Sequence, residues 1–395
     1  MQLKEAFEKT ILFFKDKGFE TPRLDAELLF FEALGLKDRV ELYLKYDKPL
    51  SDAELNKCRD FVKRRANHEP VAYIVGHKHF LNWEFQVNPH VLIPRPETEV
   101  LAEWMVDQIL KQNFFSNPFP NQQAQQHTID LSTAVQFNKL SHEVNGSSKT
   151  ATTMISILDM GSGSGCLGIG IHKLLEQKQL QKPTRKPSAE KSDITEKSID
   201  STPMIKSCVY GIDISAEAVS VARQNAANLQ VDDNCFYFQS DLNQMKSDDI
   251  SQLLVEKNLA AGFQVIVANP PYIDVEDPET QKSVKQFEPH LALFSANKGL
   301  HHIEKWAQLV ADLLKTNLSA TQPSSASLSM SDDLSINYSD NSMATTNAAL
   351  VGFEIGYNQG EAVKKIFLDL NVFSEVKILK DYSQKDRFVV GIKNG

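Results

Sequence analysis

The feature that narrows this chain most is a short apolar run that stops at two prolines. Phe263-Gln264-Val265-Ile266-Val267-Ala268 is largely apolar and β-branched, the pattern of a strand covered on both faces in a parallel sheet. Asn269-Pro270-Pro271-Tyr272 follows at once. Proline brings no N–H to a ladder, and each proline drives the residue before it into extended backbone. An amide side chain therefore stands at the carboxyl end of a central strand, where open α/β sheets bind ligands. The Asn269 amide oxygen and the Pro270 carbonyl can form a rigid pair of acceptors, suited to a planar –NH2 group with two donors. A Pro-rich turn that simply closes the strand accounts for the same residues. A Pro-Pro-x-Tyr docking ligand is excluded, because Tyr272 follows Pro271 directly.

A second segment, upstream, reads as strand, Gly-rich turn and helix. Ile155 to Asp159 is the strand, Met160-Gly161-Ser162-Gly163-Ser164-Gly165-Cys166 the turn, and Leu167 to Leu175 the helix. Glycines let backbone approach a ligand closely, and a helix N-terminus offers N–H groups with no intrahelical partner. Gly163-x-Gly165-x-x-Gly168 fits a dinucleotide fingerprint by spacing. The Asp159-x-Gly-x-Gly-x-Gly form suits S-adenosylmethionine (SAM) at least as well. Cys208 to Ile212 reads as the next strand and ends at Asp213, placed to accept from ribose hydroxyls or to cap the helix near Ser215. Phe236 to Leu242 reads as a third strand ending in Asp241, which could meet an adenine amino group or cap a helix.

Composition excludes several classes. The chain has 395 residues, 42% hydrophobic and 24% charged, enough for two domains. Its start reads as an amphipathic helix and not a signal peptide, and no apolar stretch is long enough to span a bilayer. Four cysteines without close pairing read as buried thiols in a reducing, cytoplasmic setting. A net charge of −9 argues against broad phosphate-backbone binding. His77, His79, His301 and His302 lack a Cys or carboxylate companion at ligand spacing, so they read as surface histidines and no metal is expected.

Residues 1–78 read as a helical domain. Leu3, Phe7, Ile11 and Phe14 repeat at helical spacing, Thr21 with Pro22 opens a second helix that Gly35 stops, and Ser51-Asp52-Ala53-Glu54 is a capping box. Residues 1–80 hold 15 Lys/Arg and 14 Asp/Glu, a balance that fits a protein partner better than DNA. Residues 79–112 read as a hairpin connector, with strands either side of Asn82-Trp83, and a linker helix from Glu97. Pro94 and Pro96 stiffen the turn around Arg95, so Arg95 and Glu97 could line a pocket or serve as plain linker and cap. Residues 154–395 form the remaining domain. Three polar stretches, 113–153, 177–206 and 317–347, read as mobile insertions with too little apolar content for a core. Val376–Leu379 and Arg387–Ile392 suit an antiparallel hairpin at the sheet edge.

With these pieces in order, the chain resembles the HemK/PrmC family of peptide chain release factor glutamine methyltransferases. The matching residues include Leu24-Asp25-Ala26-Glu27, Glu69-Pro70-Val71-Ala72-Tyr73, Ile93-Pro94-Arg95-Pro96-Glu97-Thr98, Asp159 to Gly165, Asn269-Pro270-Pro271-Tyr272 and Phe287-Glu288-Pro289. Glu354-Ile355-Gly356-Tyr357 with Gln359-Gly360 completes the pattern, together with Lys380-Asp381-Tyr382. The resemblance covers everything outside the three insertions. It implies an α/β fold, the class I SAM-dependent methyltransferase with a seven-stranded, mostly parallel sheet, behind a helical domain that docks the release factor.

The resemblance also implies roles. Gly161, Ser162, Gly163, Ser164 and Gly165 would hold the methionine part of SAM, and Asp159 would also bind the cofactor. Asp213 would hold the ribose, and Asp241 with Leu242 would flank the adenine. Asn269, Pro270, Pro271 and Tyr272 would hold the substrate amide beside the cofactor, with Arg95 and Glu97 nearby. The substrate would be the glutamine of the Gly-Gly-Gln motif of class-1 release factors, taken by a monomer without direct nucleic-acid contact. Leu242 departs from the larger residue frequent there. The tetrapeptide alone also fits adenine-N6 methyltransferases. A nicotinamide dehydrogenase would rest on the glycine spacing but leaves Asn269 to Tyr272 unexplained, and an inactive scaffold leaves Asn269 unexplained.

Overall fold

The computed structural model describes residues 1–111, 152–181, 204–256, 262–276, 282–316 and 348–394. The first part is a bundle of α1 (Leu3–Asp16), α2 (Pro22–Leu34), α3 (Arg39–Leu44), α4 (Asp52–Ala66) and α5 (Val71–Val75). Phe7, Phe14, Leu29, Phe30 and Phe61 form its core. The capping box at Ser51 is formed, with its hydroxyl and the Glu54 carboxylate exchanging bonds across the first turn. Gly35 ends α2 at φ 63, a left-handed cap that favours glycine. Thr21 sits at the N-cap of α2 but does not cap it. Its hydroxyl donates to Asp25 (2.9 Å), which also accepts from Arg65 of α4 at 2.8 Å.

A hairpin of β1 (His77–Phe80) and β2 (Trp83–Gln86) leads to α6 (Pro96–Leu110). Trp83 belongs to β2, paired with Phe80, so the loop falls one residue earlier than expected. The main domain then runs β3 (Thr152–Met160), α7 (Cys166–Leu180), β4 (Met204–Asp213), α8 (Ala216–Asn228), β5 (Cys235–Gln239), α9 (Ser247–Glu256) and β6 (Val265–Ala268). It continues with β7 (Ile273–Asp274), α10 (Lys282–Phe287), α11 (His290–Leu293), β8 (Phe294–Ser295) and α12 (His301–Thr316). It closes with β9 (Ala349–Glu354), α13 (Gly360–Asp369), β10 (Glu375–Lys380) and β11 (Asp386–Lys393).

Seven of these strands make one sheet, in the order β10-β11-β9-β6-β3-β4-β5. Only β11 runs antiparallel to its neighbours, and β10 is the edge of the expected hairpin. Both faces are covered, which is why the strands read as continuous apolar runs. In β6, Val265 and Val267 enter the core under α6, α7 and α8, while Ile266 and Ala268 enter the core under α12 and α13. Each fully buried Val or Ile contributes about 1.5–3 kcal/mol.

Several boundaries differ from the sequence reading. Of the three polar stretches, residues 113–151, 182–203 and 317–347 lie outside the described residues. The ends of two of them are structured: residues 152–153 open β3, 177–181 continue α7 and its cap, and 204–206 open β4. Polar residues here have specific partners. Lys178 pairs with Asp107 of α6 at 2.6 Å, and the Gln179 amide brackets the Ile205 backbone at 2.7 Å on both its oxygen and its nitrogen. β5 ends at Gln239, short of Asp241, and the Ser240 N–H donates to the Asp213 carbonyl at 2.8 Å as the last bond to β4.

Candidate active site

The chain passes from β3 outward to β4 and β5, then returns across β3 to β6. The carboxyl end of β3 is thus the point where the sheet order reverses, and the loops there splay apart to leave a crevice. A cavity of about 360 Å³ lies in it, lined from the turns after β3, β4, β5 and β6 and from the connector before α6. Asp159, Gly161, Ser162, Gly163, Ser164, Asp213, Asp241, Leu242, Asn269 and Pro271 all line it, as does Arg95. Gly165 sits behind this lining as the N-cap of α7.

One wall is the glycine turn. Gly161 and Ser162 both donate their N–H to the Ile212 carbonyl, at 2.8 and 3.1 Å, which pins the turn to the end of β4. Gly161 has φ +70, and a Cβ there would stand 2.7 Å from the Trp306 ring. Gly163 has φ +52 with nothing in the way of a Cβ, so the absent side chain leaves its backbone open toward the cavity. The Gly163 N–H donates to Asp213 (2.8 Å), whose other oxygen accepts from Ser215 at 2.9 Å. Burial pushes the Asp213 carboxyl up despite these donors.

Asp159 lies beneath the turn, almost fully buried, and accepts from the Gly168 N–H at 3.0 Å. Burial pushes its carboxyl up to about 7, against the pull of that N–H, and the Asp213 charge adds to the rise. Asp241 uses both oxygens locally, toward the Asn243 N–H at 2.9 Å and the Gln244 amide at 2.8 Å. Leu242 is buried against the cavity.

The opposite wall comes from distant parts of the chain. Arg95 reaches Glu288 at 2.6 Å, and the Glu288 carboxylate, 4% exposed, also accepts from the Ile93 N–H at 3.2 Å. This clasp ties the proline-stiffened connector to Pro289, His290, Leu291 and Ala292, which line the same cavity. Glu97, in the first turn of α6, is not among the lining residues; its neighbour Thr98 is. Asn269 lines the cavity at the end of β6, and among the described residues its side-chain amide meets no protein hydrogen-bond partner. Pro270 lies buried behind it. Tyr272 is not in the lining. Its phenol turns inward and donates to Glu354 at 3.0 Å, whereas the resemblance implied that Tyr272 helps to hold the substrate amide.

Among the lining residues that the sequence did not single out are His302, Trp306 and Asn243. His302 and Trp306 come from α12, four positions apart on one face, and their amphipathic spacing was the available signal. His302 is half-buried and within 2.7 Å of the Ser295 hydroxyl, not the surface histidine expected. Asn243 lines the cavity near Leu242, and its amide oxygen is buried without a partner among the described residues; so is the Ser162 hydroxyl. Buried acceptors and hydroxyls left unpaired at a cavity wall fit a polar ligand. With the open backbone of Gly163 and the carboxylates of Asp159 and Asp213, they suit a ligand that is part cation and part nucleoside.

The reversed sheet with one antiparallel strand, the glycine turn and the asparagine at the end of β6 define a class I SAM-dependent methyltransferase. A family model described as the PrmC N-terminal domain matches residues 5–76, and one described as Eco57I restriction-modification methylase matches residues 207–305. The release factor glutamine methyltransferase of Rhodopirellula baltica is 30% identical over 299 residues, 75% of this chain and 75% of that protein. That of Chlorobaculum tepidum is 30% identical over 312 residues (79% and 81%), and that of Caulobacter vibrioides 29% over 381 residues (96% and 92%). The chain belongs to the release factor glutamine methyltransferase family. Among the described residues no helix is long and apolar enough to cross a membrane.

Proposed function

We propose that this enzyme transfers a methyl group from SAM to the side-chain amide nitrogen of the glutamine in the Gly-Gly-Gln motif of class-1 release factors. The observation that carries the reading is that one cavity joins the glycine turn, the partnerless Asn269 amide and the connector of the helical domain. Relatives matched over most of their length are named for this reaction. In this reading the enzyme works in the cytoplasm as a monomer, on protein and not on nucleic acid; the near-even charge of residues 1–80 supports a protein partner.

When bound, SAM supplies an electrophilic methyl on its sulfonium. Asp159 and the glycine turn take its methionine end, Asp213 its ribose, and Leu242 with Asp241 and Asn243 its adenine. An amide nitrogen is a weak nucleophile because its lone pair is delocalised. The Asn269 oxygen and the Pro270 carbonyl each accept one of the two amide N–H groups and so aim the nitrogen. Orientation of this kind reaches effective molarities of about 10⁵–10⁸ M. The same acceptors stabilise positive charge as it develops on nitrogen. The proton then leaves to solvent, and no dedicated base is required. Mass spectrometry of a purified release factor incubated with the enzyme and SAM tests this. A methyl added to the Gly-Gly-Gln glutamine is expected; an unmodified glutamine with active enzyme elsewhere would contradict it.

A further inference from the structure

Glu354-Ile355-Gly356-Tyr357 and Gln359-Gly360 are not among the residues that line the cavity, yet both converge on Tyr272. Glu354, 1% exposed at the end of β9, accepts from the Tyr272 phenol at 3.0 Å on one oxygen and from the Thr98 hydroxyl at 2.6 Å on the other. Gln359, at the N-cap of α13 and 8% exposed, donates its amide to the Tyr272 carbonyl and to the Lys298 carbonyl, both at 3.0 Å. Its own oxygen accepts from the Gly356 N–H at 2.8 Å, so every polar atom of the Gln359 side chain is committed. Gly299 packs so tightly on the same Tyr272 carbonyl that a Cβ would collide with it.

Tyr272 is therefore held at both ends, by its phenol and by its backbone oxygen. Between it and Asn269 lie only Pro270 and Pro271, whose φ angles are fixed by their rings. Very little rotational freedom separates a clamped Tyr272 from the orientation of the Pro270 carbonyl and the Asn269 amide. A buried carboxylate is a costly way to fill space, and an apolar residue would pack there at lower cost. Glu354 is kept in the interior by two hydroxyl donors and by Arg387 beside it. Thr98 extends the same network to the first turn of α6, directly after the connector that lines the cavity.

We propose that Glu354 and Gln359 are positioning residues that set the acceptor pair of Asn269 and Pro270, acting through Tyr272. The proposal rests on the reading of Asn269 and Pro270 as the groups that hold the substrate amide. It separates two kinds of residue around one site: those that touch the reacting amide and those that fix the angle at which it is touched. A misplacement of about 1 Å at a reacting centre costs on the order of 10²-fold in rate, so the clamp acts on turnover and not on affinity.

The test is steady-state methylation of an intact release factor by wild type, Glu354→Gln, Gln359→Glu, Tyr272→Phe and the double variant Tyr272→Phe/Glu354→Gln. SAM affinity by calorimetry and a thermal melt accompany each. Glu354→Gln keeps the shape and removes the charge. Gln359→Glu places an oxygen against the two carbonyls it now serves. The expected result is a fall in kcat of roughly 10- to 100-fold in each single variant, with KM for the release factor and SAM affinity unchanged. The double variant falls no further than its worse single, since both break one link. Effects that multiply in the double variant, or a raised KM with kcat intact, overturn the proposal. If Glu354→Gln melts below the assay temperature, Gln359→Glu decides alone by the same split. An active wild type with equally active variants overturns the clamp and leaves the proposed function standing. A wild type that methylates no release factor overturns both.

Discussion

The two walls of the cavity are built in opposite ways. The cofactor wall is made of the turns that follow adjacent strands, and its bonds mostly use backbone: Gly161 and Ser162 to the Ile212 carbonyl, and Gly163 to the Asp213 carboxylate, 50 residues away. The acceptor wall is held in place by side chains from remote positions: Arg95 with Glu288, 193 residues apart, Thr98 with Glu354, 256 apart, and Tyr272 with Glu354, 82 apart. A backbone-built wall binds whatever fits its shape and needs few particular side chains. A wall built from remote side chains depends on the whole fold, and it can place a reacting group precisely only where every link holds. Affinity for the cofactor and rate of transfer are thus assigned to different parts of the molecule, and mutations on the two walls should register in different constants.

The largest effect is expected at Asn269. Asn269→Ala removes one of the two acceptors proposed to hold the substrate amide and should lower kcat by about 10²–10³-fold or more, with SAM affinity and melting temperature near wild type. A weakened SAM affinity in that variant would erase the division between the walls. Next comes Asp213→Ala on the cofactor wall, which strands the Gly163 and Ser215 N–H groups together with the ligand donors. It should weaken SAM binding by about 1–3 kcal/mol, read by titration calorimetry.

The sequence made the cofactor wall readable almost residue by residue, because each of its turns is written as a short motif at the end of a strand. Asp159, Gly161 to Ser164 and Asp213, read from the glycine turn and the strand ends, line the cavity, as does Leu242, which the resemblance implied. The strand run into Asn269 and the antiparallel edge hairpin were equally readable, since apolar alternation and proline act within a few residues. The acceptor wall was not. Nothing near Tyr272 signals that its phenol points to Glu354, and nothing near Glu288 names Arg95 or Ile93 as its partners. Trp306 and His302 reach the cavity only because α12 packs on the sheet. The polar start of the 177–206 stretch, at Gln179 and Lys178, looked like insertion by composition and turned out to be bonded to Ile205 and Asp107.

A smaller effect concerns pH. The Asp159 carboxyl is raised to about 7 by burial, from an ordinary 3.8. The folded protein holds this proton where the unfolded chain has released it, so the ligand-free fold loses stability as pH rises between those two values. A cationic ligand favours the carboxylate and expels the proton. SAM affinity should therefore rise about tenfold from one unit below this pKa to one unit above it, and Asp159→Asn should flatten that dependence. An unchanged slope in the variant would remove Asp159 from the cofactor wall. The smallest effect is expected for Glu288→Gln, which keeps the Ile93 hydrogen bond but weakens the hold on Arg95. Arg95 is only partly buried, so the cost should be about 1 kcal/mol, seen as a raised KM for the release factor with SAM affinity unchanged.

The central claim is that a protein amide, delivered by a docked release factor, is the methyl acceptor. Transfer of labelled methyl from SAM to three acceptors under one set of conditions tests it most directly: an intact class-1 release factor, a short Gly-Gly-Gln peptide and duplex DNA. Binding energy from a remote docking surface helps to position a weak nucleophile, so a truncated substrate should lose turnover as well as affinity. The account predicts rapid labelling of the intact factor, much slower labelling of the peptide and none of the DNA. Preferential labelling of the DNA would contradict it.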